Sequence, residues 1–242
     1  MNMKRASIFA GVVGGLAIAG AASGQSMTGM SYDVVGEDLV AGTYTVRVYA
    51  EMEADSRIDA VFGNAETSIE LMGMNGASFY QNSLGGPTST SINSAFFALA
   101  PSLEHDSYVT IGALHLDGTP FGENGLLDIG IDWAPWEAGG DLSANDGTWF
   151  VTPDKEQGAE VGGRVLLAQL TIYGTHGDGV VDAMFKAGFQ GKDTPDETGD
   201  TWQLTDANAN GANMIYIDAI PAPGAIALLG LAGLAGRRRR RG

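Results

Sequence analysis

Apolar and polar residues alternate along much of the central part of this chain. The segment GTYTVRVYAEM shows the pattern best, because Tyr44, Val46 and Val48 lie on one side and Thr45 and Arg47 lie on the other. Successive side chains of a β-strand point to opposite faces of a sheet. A period of two therefore predicts a strand with one apolar face.

Ten further segments are short alternating or continuous apolar runs, and Gly, Asn, Asp or Pro separates nearly all of them. They read RIDAVFG, TSIELMG, AFFALA, SYVTIGALHL, LLDIGIDW, TWFVTP, RVLLAQLTIYG, AMFKAGF, TWQL and NMIYIDAI. The separating residues favour turns, and no segment keeps a helical period over ten residues with caps at its ends. About ten short strands predict an all-β domain over residues 25–219. The expected form is a two-sheet antiparallel β-sandwich, with a barrel as the alternative.

Composition agrees with this fold class. The 242 residues include 36 Gly and 8 Pro, and only 17% are charged, as in a turn-rich β protein. The chain has no Cys, which excludes disulfides and cysteine zinc sites. A chain of this length can bury enough apolar surface to fold without them.

Charge is distributed unevenly. The net charge is −16, yet seven of the 13 basic residues lie at the two ends of the chain. All 29 acidic residues lie between Asp33 and Asp218, where only six basic residues accompany them. Such a surface repels nucleic acids and anionic membranes. The acidity is interpreted as an adaptation to a salty medium, with binding of Ca²⁺ or of a cationic partner as the alternative.

The N-terminus reads MNMKRASIFAGVVGGLAIAGAASGQS and has the three parts of a secretory signal. Lys4 and Arg5 precede an apolar run over residues 8–22, and small residues over 22–24 offer a cleavage site. The apolar run has about 15 residues, whereas a helix that spans a membrane needs about 20. Residues 1–24 are therefore predicted to be a signal helix that is removed.

The C-terminus reads IPAPGAIALLGLAGLAGRRRRRG. Its apolar run over residues 225–236 would be about 18 Å long as a helix, shorter than the roughly 30 Å of a hydrocarbon core. Pro221 and Pro223 precede the run, and Arg237–Arg241 would stay on the cytoplasmic side. The pattern predicts a weak transmembrane tail anchor that leaves the acidic domain outside.

This tail, residues 220–242, resembles the PEP-CTERM sorting signal of Gram-negative bacteria. That signal has a Pro-Glu-Pro-type motif, a short apolar helix (here 225–235) and a terminal Arg cluster, and Ala222 stands where the family usually has Glu. The residues that the resemblance assigns to sorting are Pro221, Ala222, Pro223, Arg237, Arg238, Arg239, Arg240 and Arg241. It implies export through the inner membrane, transient anchoring, and processing by an exosortase, a membrane transpeptidase-like enzyme. The product would then lie at the cell surface or outside the cell.

The central domain also resembles known proteins, though only in part. The segments AFFALAPSLEHDSYVTIGA, DGTWFVTPDKEQGAE and RVLLAQLTI are similar to an uncharacterised secreted domain found beside PEP-CTERM tails in planctomycete-type bacteria. The general pattern resembles cohesin-like and other carbohydrate-associated sandwiches. That likeness concerns the fold and implies no activity.

Catalytic motifs are few. The histidines are His105, His115 and His176, and EHDS places Glu104 to Ser107 side by side. Neighbouring residues on a strand point to opposite faces, whereas a triad must converge in space. Neither G-x-S-x-G nor H-E-x-x-H occurs. The sequence predicts no catalytic residue, and an extracellular hydrolase with carboxylates or a His converging in a cleft is the least favoured alternative.

Calcium is the cofactor that the sequence most favours, if the protein has one. The loop HGDG lacks carboxylates where an EF-hand-type loop needs them, so it is interpreted as a turn. Two other loops, DLSANDG and TDANANGAN, offer oxygen ligands of the kind that Ca²⁺ accepts. The candidate ligands are Asp141, Asn145, Asp146, Asp206, Asn208 and Asn210. Turn chemistry is the alternative reason for these residues.

Three tryptophans lie close together in DWAPWEAGGDLSANDGTWF. Sugar rings stack on exposed aromatic faces, so Trp133, Trp136 and Trp149 are candidates for carbohydrate binding. Trp136 follows Pro135 in a segment without alternation and is predicted to be the most exposed. A hydrophobic plug is the alternative role for the cluster.

These observations predict an exported surface or biofilm-matrix protein with a structural or adhesive role. The alternative is a carbohydrate-binding module for extracellular polysaccharide, with or without Ca²⁺. The expected partners are an exosortase-type enzyme and polysaccharide, and nucleic acid is excluded.

Overall fold

The computed structural model describes residues 26–218, so the predicted signal segment (1–24) and sorting tail (220–242) lie outside the described residues. Within 26–218 the fold is mostly β, with thirteen strands and one short helix, α1 (Ala134–Glu137). The strands are β1 (Met27–Glu37), β2 (Thr43–Met52), β3 (Arg57–Gly63), β4 (Ile69–Gly73), β5 (Tyr108–Val109), β6 (Leu127–Ile129), β7 (Leu142–Ala144), β8 (Gly147–Phe150), β9 (Arg164–Tyr173), β10 (Ala183–Lys186), β11 (Gly188–Lys192), β12 (Thr201–Leu204) and β13 (Met214–Ile217).

The strands form three antiparallel sheets. Their orders are β1-β2-β9-β5 in the first sheet, β13-β10-β4-β7 in the second and β12-β11-β3-β8-β6 in the third. The prediction of an antiparallel all-β domain is confirmed for these residues. Thirteen strands in three sheets are found where the strand pattern predicted about ten in two, and none of the three sheets closes on itself.

A row of glycines explains why the second and third sheets are separate. Ala187 alone separates β10 from β11, and short turns separate β4 from β3 and β7 from β8. Gly63 lies opposite Gly147 at this boundary, and a Cβ on Gly63 would lie 2.2 Å from the carbonyl oxygen of Ala144. A Cβ on Gly188 would lie 2.6 Å from the Phe62 ring. Glycine lets the strands approach closely where they bend.

The three sheets share one hydrophobic core. The inward face of β2 carries Tyr44, Val46, Val48, Ala50 and Met52, and all five are buried, as the alternation indicated. In β9 the residues of both faces are buried, because the long connection between β4 and β6 covers its outer side. That connection has its own small cluster around Ile92, Leu103 and Tyr108.

Two of the predicted strands are wrong in part or in full. AFFALA does not form a strand, and residues 94–96 and 101–105 on either side of its centre are 3₁₀ turns. Asn93 caps the first turn by accepting the backbone N–H of Ala95 at 3.1 Å. SYVTIGALHL contains only the two-residue β5. Short apolar runs do not distinguish strands from turns by period alone.

Arg57 is the one basic residue of the described chain that is almost completely buried, with 1% of its surface exposed. Its guanidinium donates to Asp59 Oδ1 at 2.6 Å and to the carbonyl oxygens of Pro195 at 2.8 Å and Lys155 at 2.9 Å. A Cβ on Gly158 would lie 2.6 Å from Nη2, so the backbone packs directly on the charged group. Arg57 thereby ties β3 to two loops that are distant in sequence.

We expect Arg57→Met to lower the free energy of unfolding by about 3–5 kcal/mol, because it leaves the Asp59 carboxylate and the carbonyl groups buried without a donor. Denaturant unfolding followed by tryptophan fluorescence measures the change. Lys155→Met is the matched control, because its ion pair with the exposed Glu123 lies at the surface, where solvent screening leaves it little effect on the free energy of unfolding. Equal losses in the two variants would contradict this role of Arg57.

Candidate functional site

A groove of about 690 Å³ lies on the outer face of the third sheet. The alternation of side chains between the two faces of each strand determines which residues line the groove. Val61, Trp149 and Trp202 point into the core from β3, β8 and β12, so the residues beside them in each strand point outward. The outward side chains that matter most are Phe62, Thr148, Phe150, Gln190, Lys192 and Gln203.

Two half-buried aromatic rings lie in this groove. Phe150 pairs with Ala60 and Thr148 pairs with Phe62, so Phe62 and Phe150 are diagonal neighbours on one face of the sheet. Diagonal neighbours are about 7–8 Å apart, within reach of aromatic side chains. Gly188 leaves the space over which the Phe62 ring lies.

Polar groups adjoin the rings. Gln203 Nε2 donates to Gln190 Oε1 at 2.7 Å, which orients the two amides. Lys192 Nζ donates to the Gly199 carbonyl at 3.2 Å and to Thr201 Oγ1 at 3.4 Å. Within residues 26–218 Lys192 makes no salt bridge. The groove therefore combines apolar faces, amide donors and acceptors, and one cation.

The predicted tryptophan platform is not on the surface. Trp136 was expected to be exposed, and this is wrong, because α1 turns the indole inward against Phe79, with ring centroids 4.8 Å apart and no exposed surface. Trp149 is also fully buried and donates to the Thr110 carbonyl oxygen at 3.2 Å. Trp133 is half-buried and lies 6.3 Å from Trp149. Trp136 and Trp149 fill the interior, as in the plug alternative, and a buried ring cannot stack on a sugar. Carbohydrate binding by Trp133 stays a prediction.

The candidate calcium ligands lie in separate places. Asp141 accepts the backbone N–H of Gly73 and Asp146 lies beyond the other end of β7, while Asn145 is exposed between them. Asp206 accepts from Lys186 at 3.3 Å. Asn208 and Asn210 lie in exposed turns. No group of three or more His, Asp or Glu in the described part of the chain could hold a metal ion. Calcium binding by these loops stays a prediction.

The side chains of the EHDS motif form their hydrogen bonds with backbone groups rather than with one another. The Asp106 carboxylate accepts backbone N–H groups of Asn82 at 2.7 Å, Ser107 at 3.0 Å and Gly86 at 3.3 Å. Ser107 Oγ accepts the N–H of Thr171. His105 ends a 3₁₀ turn, and burial lowers its pKa. The four side chains of the motif make no hydrogen bond to one another, so no triad forms there.

The other two histidines are packed in different parts of the fold. Burial lowers the pKa of His115, whose ring contacts Phe97 edge-on at 5.0 Å. His176 lies 3.5 Å from the Glu37 carboxylate and 3.8 Å from that of Asp218. HGDG is a turn, as predicted, with Gly177 at φ 82°. The three rings are therefore held by separate neighbours.

The groove residues were missed in the sequence because the pattern that places them is not local. RIDAVFG, TWFVTP and TWQL each show which side chains point outward. They do not show that β3, β8, β11 and β12 are neighbours, which depends on long-range pairing. The sequence pointed to tryptophans, whereas the aromatic rings that line the groove are those of Phe62 and Phe150.

In comparisons with known proteins, no family model, curated protein or solved structure matches this chain. In residues 26–218 no helix has the length and apolar character needed to cross a bilayer.

Asp106 predicts a pH dependence of stability. Burial raises its pKa to about 7, against the effect of its backbone hydrogen bonds, whereas the unfolded chain has the ordinary value near 3.8. Between these values the folded protein holds a proton that the unfolded chain releases. The free energy of unfolding should therefore fall as the pH rises from about 4 to 7, by up to about 1.4 kcal/mol per pH unit.

Denaturant unfolding of the wild type and Asp106→Asn at pH 4.5, 5.5, 6.5 and 7.5 measures this effect. The amide does not titrate, so the difference between the two proteins isolates Asp106 from Asp182, whose pKa burial also raises. Parallel pH profiles would show that Asp106 does not titrate in this window.

Proposed function

We propose that this chain is an exported surface or extracellular-matrix protein whose acidic domain adheres to extracellular polysaccharide through the groove of the third sheet. The observation that carries the proposal is the pair Phe62 and Phe150 beside the orienting amides of Gln190 and Gln203. Aromatic faces stack on the C–H faces of sugars, and amides bind hydroxyl groups in both directions. The groove replaces the tryptophan platform as the sugar-binding surface.

The size and setting of the groove support a ligand rather than a packing defect. Its volume of about 690 Å³ lies within the usual range of ligand sites, roughly 300–1,000 Å³. The rings of Phe62 and Phe150 are half-buried at its floor, so a ligand can reach one face of each. Strands rather than loops carry most of the lining, which keeps the spacing of the rings constant.

Sorting is the second part of the proposal. The signal segment (1–24) would direct export, and the tail with Pro221–Pro223 and Arg237–Arg241 would anchor the protein transiently until an exosortase-type enzyme removes it. The described fold, 26–218, lies between the two segments. Cleavage at either end would leave β1 and β13 in the mature chain, which is what a processed surface protein requires.

We also propose that the domain is a β-sandwich in which the second and third sheets act as one bent layer against the first. The nearly continuous strand from β10 to β11 links these two sheets, and one buried cluster contains residues of all three. This arrangement leaves the outer face of the third sheet, with its groove, available for adhesion.

We expect Phe62→Ala and Phe150→Ala each to weaken binding of the producing cell's polysaccharide at least fivefold, because each removes one stacking face worth about 1 kcal/mol. Affinity electrophoresis in polysaccharide-containing gels measures the change. Tyr216→Ala is the matched control, since this ring is 41% exposed on the second sheet, away from the groove.

If the polysaccharide retards the wild type and retards both groove variants equally, the binding surface lies elsewhere on the protein. If the wild type is not retarded at all, the polysaccharide proposal fails and a purely structural role in the surface layer is left. Melting temperatures of the variants show whether a loss of binding is a loss of fold.

The same assay tests calcium. If the loops with Asp141 and Asp206 bind Ca²⁺ that the site needs, a chelator should reduce retardation, and Asp206→Asn should reproduce the loss. If the chelator leaves the retardation unchanged, polysaccharide binding does not require Ca²⁺.

A further inference from the structure

Some basic residues of residues 26–218 form salt bridges with acidic side chains, and others do not. Four of the six, Arg57, Lys155, Arg164 and Lys186, form salt bridges. Arg47 and Lys192 form none within residues 26–218, and each lines a cavity. The cavity of Lys192 is the groove described above. That of Arg47 is a separate pocket of about 220 Å³ on the outer face of the first sheet, which we call the Arg47 pocket.

The acidic residue nearest to Arg47 in the sheet is already paired. Asp33 lies directly opposite Arg47 in the register of β1 and β2. Its carboxylate instead accepts both terminal nitrogens of Arg164, at 3.1 and 2.7 Å. The Arg164 guanidinium also lies over the Tyr49 ring, 4.0 Å from its centroid. Arg164 and Asp33 thus neutralise each other beside the pocket.

Arg47 is held in place by a buried amide. Gln169, opposite Arg47 in β9, is 1% exposed, and its Nε2 donates to the carbonyl oxygens of Glu104 at 2.9 Å and Asp106 at 3.2 Å. These bonds orient Oε1, which accepts Arg47 Nε at 3.1 Å. The two terminal nitrogens of Arg47 donate no hydrogen bond to a carboxylate or a backbone carbonyl of residues 26–218, and the neutral Tyr49 hydroxyl lies beside the guanidinium. The fork of the guanidinium is therefore positioned without being neutralised by an acidic group.

The walls of the Arg47 pocket are apolar. Most of its lining consists of Leu114, Pro120, Phe121, Ala159, Val161, Val165 and Leu166. A charge beside apolar walls interacts more strongly with a bound counter-ion than it does in water. The volume corresponds to about seven water molecules at roughly 30 Å³ each. A ligand of this pocket is therefore a small molecule with an apolar body.

We propose that the Arg47 pocket binds a small monocarboxylate of about the size of benzoate, with its carboxylate on the Arg47 fork and its apolar body against Leu114 and Phe121. A guanidinium presents two parallel N–H groups that match the two oxygens of a carboxylate. This inference does not depend on polysaccharide binding, because the pocket and the groove lie on different sheets.

Titration of the full-length protein with sodium benzoate, followed by calorimetry and by NMR shifts, tests the proposal. We expect saturable binding in the millimolar range and shifts at Tyr49 and Leu166. Benzamide, which has the same shape without the charge, should bind at least tenfold more weakly. Arg47→Met should weaken benzoate binding at least tenfold, and Arg47→Lys should weaken it less.

Lys192→Met is the matched control, because it removes the other unpaired cation and should leave benzoate binding unchanged. Equal affinity for benzamide and benzoate would overturn the proposal without any variant, even if Arg47→Met fails to fold. Benzoate binding that persists in folded Arg47→Met would also overturn it. So would a concentration-dependent dimer that Arg47→Met abolishes, since a second copy would then occupy the pocket.

Discussion

A buried cation in a strongly acidic domain needs acceptors on every side, and Arg57 has them. Its guanidinium connects Asp59 on β3 with carbonyl oxygens of Lys155 and Pro195, which belong to the loops before β9 and between β11 and β12. The first of these loops lines the groove with Val151, Thr152 and Pro153, and Asp59 lines it as well. One fully buried group therefore ties this border of the groove to β3 and to the loop between β11 and β12.

Close approach of the backbone at glycines accompanies a second feature of the fold, the division between the second and third sheets. β3 ends at Gly63, while β8 and β11 begin at Gly147 and Gly188, and a Cβ at each would clash with neighbouring backbone or with a side chain. The boundary between the second and third sheets lies at these glycines. At β9 the outer side of the first sheet is covered, since Gln169 and Thr171 there are at most 1% exposed. The face that carries Phe62 and Phe150 stays accessible.

The alternation of apolar and polar residues predicted those features that depend only on neighbouring residues, namely strands and their buried faces. β2, β3 and β9 follow their segments closely, and the buried face of β2 is the one with Tyr44 and Val46, because alternation and burial act on the same few residues. Trp136 could not be placed this way, because its burial depends on Phe79, a residue more than fifty positions away. The groove is not local either, since β3, β8 and the consecutive pair β11 and β12 lie far apart in sequence and must become neighbours before the side chains of the groove lie together.

Charge acts on two length scales in this molecule, and the Arg47 pocket illustrates how the proposed anion site fits a domain of net negative charge. At physiological salt the long-range field of the acidic residues is screened beyond about 8 Å. Within that distance the neighbouring groups determine the field, and the carboxylate opposite Arg47 in the sheet is bound to Arg164 while Gln169 contributes only a neutral oxygen. The local field in the Arg47 pocket is therefore positive although the domain is not. Long-range repulsion slows the approach of an anion, and short-range pairing determines how long it stays.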